Sequence, residues 1–129
     1  MFLDEPPLDA AVSASYAASE ADHGYVMNYE RVWAWRQDVA SAFTDVRGLL
    51  GGTTSLSPRE IAIINASVAG ARDDAACAFA WGTRLAAATD PEIAAGVLRG
   101  SHAGLDDRDR AIARWARLIA TDPNATTQA

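Results

Sequence analysis

The fold is decided at residues 57–70, which read SPREIAIINASVAG. Ser57 can accept a hydrogen bond from the first-turn backbone, Pro58 suits the first helical position, and Glu60 can reach back to the capping residue. Apolar residues recur on one side of this stretch, at Ile61, Ile64 and Val68. We therefore predict a helix that begins at Ser57 or Pro58 and ends near residues 70 and 71.

Further start and stop signals divide the rest of the chain into short helices. Asp9 and His23-Gly24 bound a first helix, Asn28 and Asp38 can cap two more, and Gly51-Gly52-Thr53-Thr54 breaks the pattern. Asp73 or Asp74 precedes a helix that ends near Ala88. Thr89-Asp90-Pro91-Glu92 precedes a helix that ends at Arg99-Gly100, and Asp106 or Asp107 precedes the last helix. The sequence thus predicts an all-α fold, a compact bundle of six or seven short helices without strands. No linker or internal repeat divides it, so we expect a single domain over residues 1–129.

The composition restricts the classes of partner. With 11 Lys and Arg against 17 Asp and Glu, the formal net charge is −6. Phosphate backbones and anionic membranes are bound through clustered cations, so we predict neither a nucleic-acid partner nor a membrane partner. The N-terminal residues MFLDEPPLDA lack the basic and apolar regions of a signal peptide, and one cysteine cannot form an internal disulfide. These features predict a cytoplasmic protein.

The single cysteine, Cys77, shares a helical stripe with Trp81 and Leu85. Their four-residue spacing predicts that the stripe faces protein. Cys77 is then either an inert apolar filler or a reactive thiol close to a helix start. In the second case the unpaired N–H groups and the helix dipole stabilise the thiolate by ~0.3–1 kcal/mol, which is a modest activation.

Charged residues around Cys77 act on its pKa in opposite directions. Asp73 and Asp74 add negative charge and raise the thiol pKa, whereas Arg72 and Arg84 lower it. The sequence leaves the sign of the net shift open. We nevertheless expect Cys77 to be more reactive than a buried structural thiol.

Three ordered segments carry a resemblance to a known family. They are LSPREIAIINASVAG, AACAFAWGTRLAAATDPEIAAGVLRG and GLDDRDRAIARWARLIATDPNATT, preceded by HGYVMNYERVWAWRQDV. Over residues 24–129 their succession resembles the carboxymuconolactone decarboxylase and alkylhydroperoxidase D superfamily, and the upstream segment is similar to its peroxidase-related members. The resemblance implies an all-helical, alkylhydroperoxidase D-like fold that assembles as a homo-oligomer, as trimers or multiples of trimers.

The peroxidase members of that superfamily carry a Cys-x-x-Cys pair, a histidine four residues later and a glutamate on the preceding helix. When Cys77 is placed on the second cysteine, Asp74 falls on the first cysteine and Trp81 on the histidine. Glu60 then lies two residues from the relay glutamate. An ungapped register puts Arg72 on the cysteine and Phe79 on the histidine. Both registers exclude a two-cysteine disulfide mechanism, because a disulfide needs a second sulfur.

Three functions follow as hypotheses. The first is a thiol-dependent peroxidase in which Cys77 reduces peroxides, an external thiol is the reductant and Glu60 transfers protons, with no cofactor and no metal. In that enzyme Trp81 walls an apolar substrate pocket and Arg84 binds substrate. The second is a catalytically degenerate family member that serves as an oligomeric binding or scaffold protein. The third, implied by the resemblance alone, is a decarboxylase acting on a small acidic lactone.

Other residues bear on assembly rather than on chemistry. His23 and His102 lie at predicted helix ends, where we expect solvated side chains. The chain has four tryptophans, Trp33, Trp35, Trp81 and Trp115, and short alanine-rich helices that expose large aromatics need partners. Members of the family usually continue past the segment DPNATT, which implies a shortened chain or closing helices from a partner subunit. We therefore predict that the chain is not a stable monomer.

Overall fold

The computed structural model describes residues 4–126, and all regular structure in that range is helical. The α-helices are α1 (Ala10–His23), α2 (Asn28–Trp33), α3 (Gln37–Thr53), α4 (Pro58–Arg72), α5 (Ala75–Ala88), α6 (Pro91–Arg99) and α7 (Asp107–Thr121). The predicted all-α class is thus confirmed over the described residues, none of which forms a strand. No helix there combines the length and apolar composition that a membrane crossing requires.

The chain divides into two compact units, with the division between Thr54 and Ser55. The first unit holds α1 to α3 and the second holds α4 to α7. The prediction of a single domain over residues 1–129 stays a prediction.

In the second unit, α4 is the central helix. It packs against α5, α6 and α7, and α5 also packs against α6. The buried apolar core comprises Ala62, Ile63, Ala66, Leu85, Ala94, Val97, Leu105 and Ala113. Because so many of these side chains are alanines, the helices approach closely and the core depends on backbone proximity as well as on large side chains.

The predicted start of α4 is confirmed. The Glu60 backbone N–H donates to Ser57 Oγ at 3.2 Å, and the Ser57 N–H donates to Glu60 Oε2 at 2.7 Å, so both halves of the capping box are present. The predicted end near residues 70 and 71 falls short, because the helix continues to Arg72 and Asp73 closes it in the left-handed conformation. Gly70 stays helical since α6 lies directly against it, as shown below.

Most of the other predicted caps hold. Asp9, Asp74, Asp90 and Asp106 each accept a hydrogen bond from the backbone of the helix that follows. Asn28 and Asp38 are exceptions. Asn28 is the first residue of α2, which has no side-chain cap. α3 begins at Gln37, and Asp38 lies in its first turn, where it pairs with Arg36 at 2.7 Å. A carboxylate in the first turn is favourable without being the cap.

The predicted break at residues 51–54 is also wrong in part, because α3 runs through both glycines to Thr53. This helix is the least buried of the first unit. It contains no buried residue, and its large apolar side chains are all exposed. Its side-chain ring contact is between Trp33 and Phe43, which stack with centroids 5.7 Å apart. Beyond that contact α3 extends with little tertiary support.

The approach of α4 to α6 gives a testable prediction at Gly70. A Cβ added there would lie 2.0 Å from the backbone oxygen of Leu98, so Gly70→Ala must push the two helices apart. We expect a loss of about 1–3 kcal/mol in the free energy of unfolding, measured by urea denaturation. Gly96→Ala is the matched control, because its Cβ would meet Ser101 at an ordinary 3.6 Å. Equal stability of the two variants would contradict the packing described here.

Candidate functional site

Cys77 lies in the first turn of α5, three residues after the capping residue Asp74. The Cys77 backbone N–H donates to Asp74 Oδ1 at 3.0 Å, and the cysteine is exposed. The predicted burial of its stripe is therefore wrong at Cys77, although Trp81 is half-buried and Leu85 is fully buried. The stripe leaves the core at its N-terminal end because α5 begins there and no neighbouring helix covers its first turn among the described residues.

The structure settles the sign of the pKa shift at Cys77. The thiol donates a hydrogen bond to the Asp74 carboxylate, and this bond, with partial desolvation and the negative charge of Asp74, raises the thiol pKa above its ordinary value. The acidic cap acts against the helix dipole, whose effect on a thiolate is small. Cys77 is therefore a protonated thiol at neutral pH.

Trp81 and Arg84 form a pair on the same helix. The Arg84 guanidinium carbon lies 4.8 Å from the centre of the Trp81 ring, which is a cation–π contact. Trp81 packs against the core with its other side, while Arg84 is exposed. The cation is thus accessible to an anionic group from solvent, but the tryptophan face beside it is already covered.

Glu60 is a buried carboxylate with both oxygens occupied. Oε2 accepts the Ser57 N–H, and Oε1 accepts from Nε of Arg108 on α7. These hydrogen bonds, with that of the Ser57 side chain, lower the pKa of Glu60 to about 2. A carboxylate held ionised in this way is a weak base, and its proton-transfer role stays a prediction.

Arg108 belongs to a four-residue cluster that joins the starts of α4 and α7. Arg59 donates to Asp109 Oδ2 through Nη2 at 2.7 Å and through Nε at 3.0 Å, while Arg108 pairs with Glu60. Two adjacent residues of α4 thus form ion pairs with two adjacent residues of α7. We call this cluster (Arg59, Glu60, Arg108, Asp109) the α4–α7 clasp. Sequence reasoning missed it, although the signal was present as adjacent opposite charges, RE at 59–60 and RD at 108–109.

The four predicted site residues are therefore distributed over three local arrangements. Cys77 contacts Asp74, Trp81 contacts Arg84, and Glu60 contacts Ser57 and Arg108. The groups that satisfy Glu60 do not include the thiol. The result is an accessible thiol that donates a hydrogen bond to a carboxylate. The causes of its pKa shift include no cation that would stabilise the thiolate.

A concavity of the second unit lies away from these residues. It has a volume of about 670 Å³ and is lined by the start of α6 and the loop after it, including Asp90, Glu92, Ile93, Gly96, Arg99 and Ser101. None of the four predicted site residues lines it. Among residues 4–126, no three His, Cys, Asp or Glu side chains converge as metal ligands would.

The two histidines differ from each other. His23 is exposed in the last turn of α1, at the predicted helix end. His102 is half-buried in the loop between α6 and α7, and its Nε2 atom is buried without a hydrogen-bond partner within the described part of the chain. The expectation of a solvated side chain is therefore wrong for His102, which is half-buried in a loop that also carries the buried Leu105.

Comparisons of the chain with models of protein families, with curated proteins and with solved structures gave no match. The resemblance to the carboxymuconolactone decarboxylase and alkylhydroperoxidase D superfamily therefore stays a prediction. What is known of the site comes from its own geometry.

The contact between Asp74 and Cys77 predicts the effect of removing the charge. Asp74→Asn keeps a side-chain oxygen for the helix cap but removes the carboxylate, so we expect the Cys77 pKa to fall toward or below that of a free cysteine, about 8.5. The pH dependence of the alkylation rate by iodoacetamide measures this pKa. Asp73→Asn is the control, since Asp73 is not among the causes of the shift. An Asp74→Asn chain that titrates like the unaltered chain would refute the assignment.

The depressed pKa of Glu60 predicts a pH-dependent stability. Its ordinary pKa is 4.5 and its folded pKa is about 2, so the stabilisation is fully present above pH 4.5 and is lost as the pH falls through about 2. Glu60→Gln should lower the urea midpoint at neutral pH, and the gap to the unaltered chain should narrow between these two values. Glu92→Gln, at an exposed glutamate of α6, should change the midpoint less. A gap that does not depend on pH would contradict the assignment.

Proposed function

We propose that this chain is an oligomeric binding or scaffold protein in which Cys77 is not turned over. The observation that carries the proposal is the Asp74–Cys77 contact, which raises the pKa of the only thiol in the sequence. Peroxide reduction requires a thiolate, and thiolate-based enzymes place cations or histidine beside the sulfur. Here the neighbour within hydrogen-bond reach is a carboxylate.

The disposition of Glu60 supports the same proposal. A proton-transfer group must be free to exchange a proton near the operating pH, and its pKa is best placed close to that pH. Glu60 has both oxygens engaged by Ser57 and Arg108, and its pKa is about 2. The residue serves the start of α4 and its attachment to α7, which is a structural role.

The surface of α7 supports an assembly. One side of this helix carries Ala113 and Ala116, which are buried in the unit. The other side carries Trp115, Leu118 and Ile119, of which the tryptophan is 57% exposed. When a helix is apolar on two sides, covering the second side with another molecule is more favourable than leaving it exposed to water. The homo-oligomer implied by the family resemblance, as trimers or multiples of trimers, would supply that cover.

A second candidate function is the single-cysteine peroxidase, and the exposure of Cys77 favours it. In that reaction the sulfur attacks the hydroperoxide, the O–O bond breaks, and sulfenic acid and an alcohol form. Two external thiols then reduce the sulfenic acid, giving a disulfide between themselves and one water. The exposed sulfur is open to both reagents, but its raised pKa reduces the thiolate population on which the first step depends.

Peroxide consumption separates the two candidates. The full chain is assayed with hydrogen peroxide and with an alkyl hydroperoxide, with dithiothreitol as the thiol, beside a matched Cys77→Ser chain. We expect the two chains to give equal rates, and labelling of Cys77 by a dimedone probe to be no faster than in the unfolded protein. Turnover that Cys77→Ser abolishes would overturn the scaffold proposal in favour of the peroxidase.

A further inference from the structure

We infer that α3 pairs in an antiparallel manner with α3 of a second copy of this chain, through a seam formed by Val39, Phe43, Val46 and Leu50. This pairing names the assembly surface in the first unit and rests on the oligomeric function proposed above. The seam residues follow spacings of four, three and four, which is the alternation that places side chains along one narrow stripe of a helix. All four are exposed.

The exposure and the glycine content of α3 indicate that this helix needs a partner. From Ser41 to Thr53 every residue is exposed, and the tertiary ring contact of this part is the stacking of Phe43 on Trp33, so tertiary packing stabilises it little. It also contains Gly48, Gly51 and Gly52, and glycine is less favourable than alanine in a helix by about 0.8–1.0 kcal/mol per residue. An isolated helix of this length is marginal in water even without glycines. Its seam must therefore be covered for the helix to persist.

The order of the seam residues identifies a second copy as the occupant. A two-fold axis that passes between residues 44 and 45 sets Phe43 against the partner's Val46 and Leu50 against the partner's Val39. Each layer then combines one large and one smaller side chain, which fills the space evenly. A parallel pair would instead stack phenylalanine on phenylalanine and valine on valine, and the layers would differ in width.

The flanks of the seam obey the same symmetry. The rotation sets Leu49 against the partner's Ala40 and Arg47 against the partner's Ala42, so that long side chains again meet short ones. Asp38 faces the partner's Gly51, and Asp45 faces the partner's Thr44. No like charges oppose one another across the pair, which is the electrostatic requirement for self-association.

The area is sufficient for a specific contact. Five large apolar side chains of α3 are between 38% and 69% exposed, namely Val39, Phe43, Val46, Leu49 and Leu50. Together they form a patch on the order of 500 Å², comparable with the largest apolar patch of a typical monomer. Two copies would bury on the order of 1,000 Å², the lower bound for a stable interface.

The first test is the mass of the full chain by sedimentation velocity. An assembly in which every α3 is paired has an even number of chains, so Val46→Glu should halve the mass. Ser41→Glu is the matched control, because Ser41 is exposed on the side of α3 opposite to the seam and its substitution should leave the mass unchanged. An oligomer that withstands Val46→Glu would overturn the pairing.

The second test fixes the direction and does not depend on a destabilising variant. In a Cys77→Ser background, a Val39→Cys chain and a Leu50→Cys chain are oxidised separately and as an equal mixture. The antiparallel pair predicts a disulfide-linked dimer in the mixture alone, because identical positions lie about 17 Å apart along the seam. A Val39→Cys chain that crosslinks to itself as readily as to Leu50→Cys would overturn the pairing.

The two proposals fail in different ways. Peroxide turnover that depends on Cys77 would overturn the scaffold function and leave the α3 pair standing on its mass and crosslinking results. Conversely, an intact oligomer after Val46→Glu, or the wrong crosslinks, would overturn the pair and leave the scaffold function standing.

Discussion

The second unit depends on the α4–α7 clasp, in which Arg59 pairs with Asp109 and Arg108 pairs with Glu60. Both carboxylates are nearly excluded from solvent, whereas both arginines keep part of their guanidinium groups in water. Removal of either arginine would leave a buried carboxylate unpaired, which is strongly unfavourable. The crossed arrangement also fixes the two helix starts relative to each other, so that α4 can present its small residues to α5 and α6.

The clasp also limits the chemistry of the unit, because acidic groups that could act as bases are used in structure. Glu60 completes a capping box and an ion pair, Asp109 accepts from Arg59, and Asp74 caps α5. As a consequence, the pKa of Cys77 is raised, because its thiol contacts the capping carboxylate of Asp74. The cysteine thus lies at a helix start whose cap does not activate it.

Local signals in the sequence predict the helices well. Ser57, Pro58 and Glu60 act within one turn, so the start of α4 follows from four residues, and the aspartate caps follow the same logic. The clasp joins residues about fifty positions apart, and the adjacent opposite charges at 59–60 and 108–109 do not by themselves indicate that their helices meet. Similarly, spacing placed Cys77 on a buried stripe, but its exposure depends on where neighbouring helices end. Glycine propensity predicts a break at residues 51–54, whereas α3 continues through both glycines to Thr53.

The most direct test of this account is the titration of the Glu60 carboxyl group, followed by carbon NMR of the side chain in the full chain. We expect a midpoint near pH 2, since the Ser57 and Arg108 hydrogen bonds hold the group ionised. A midpoint at or above the ordinary value of 4.5 would contradict it, because Glu60 would then be a group able to exchange protons rather than a fixed part of the clasp.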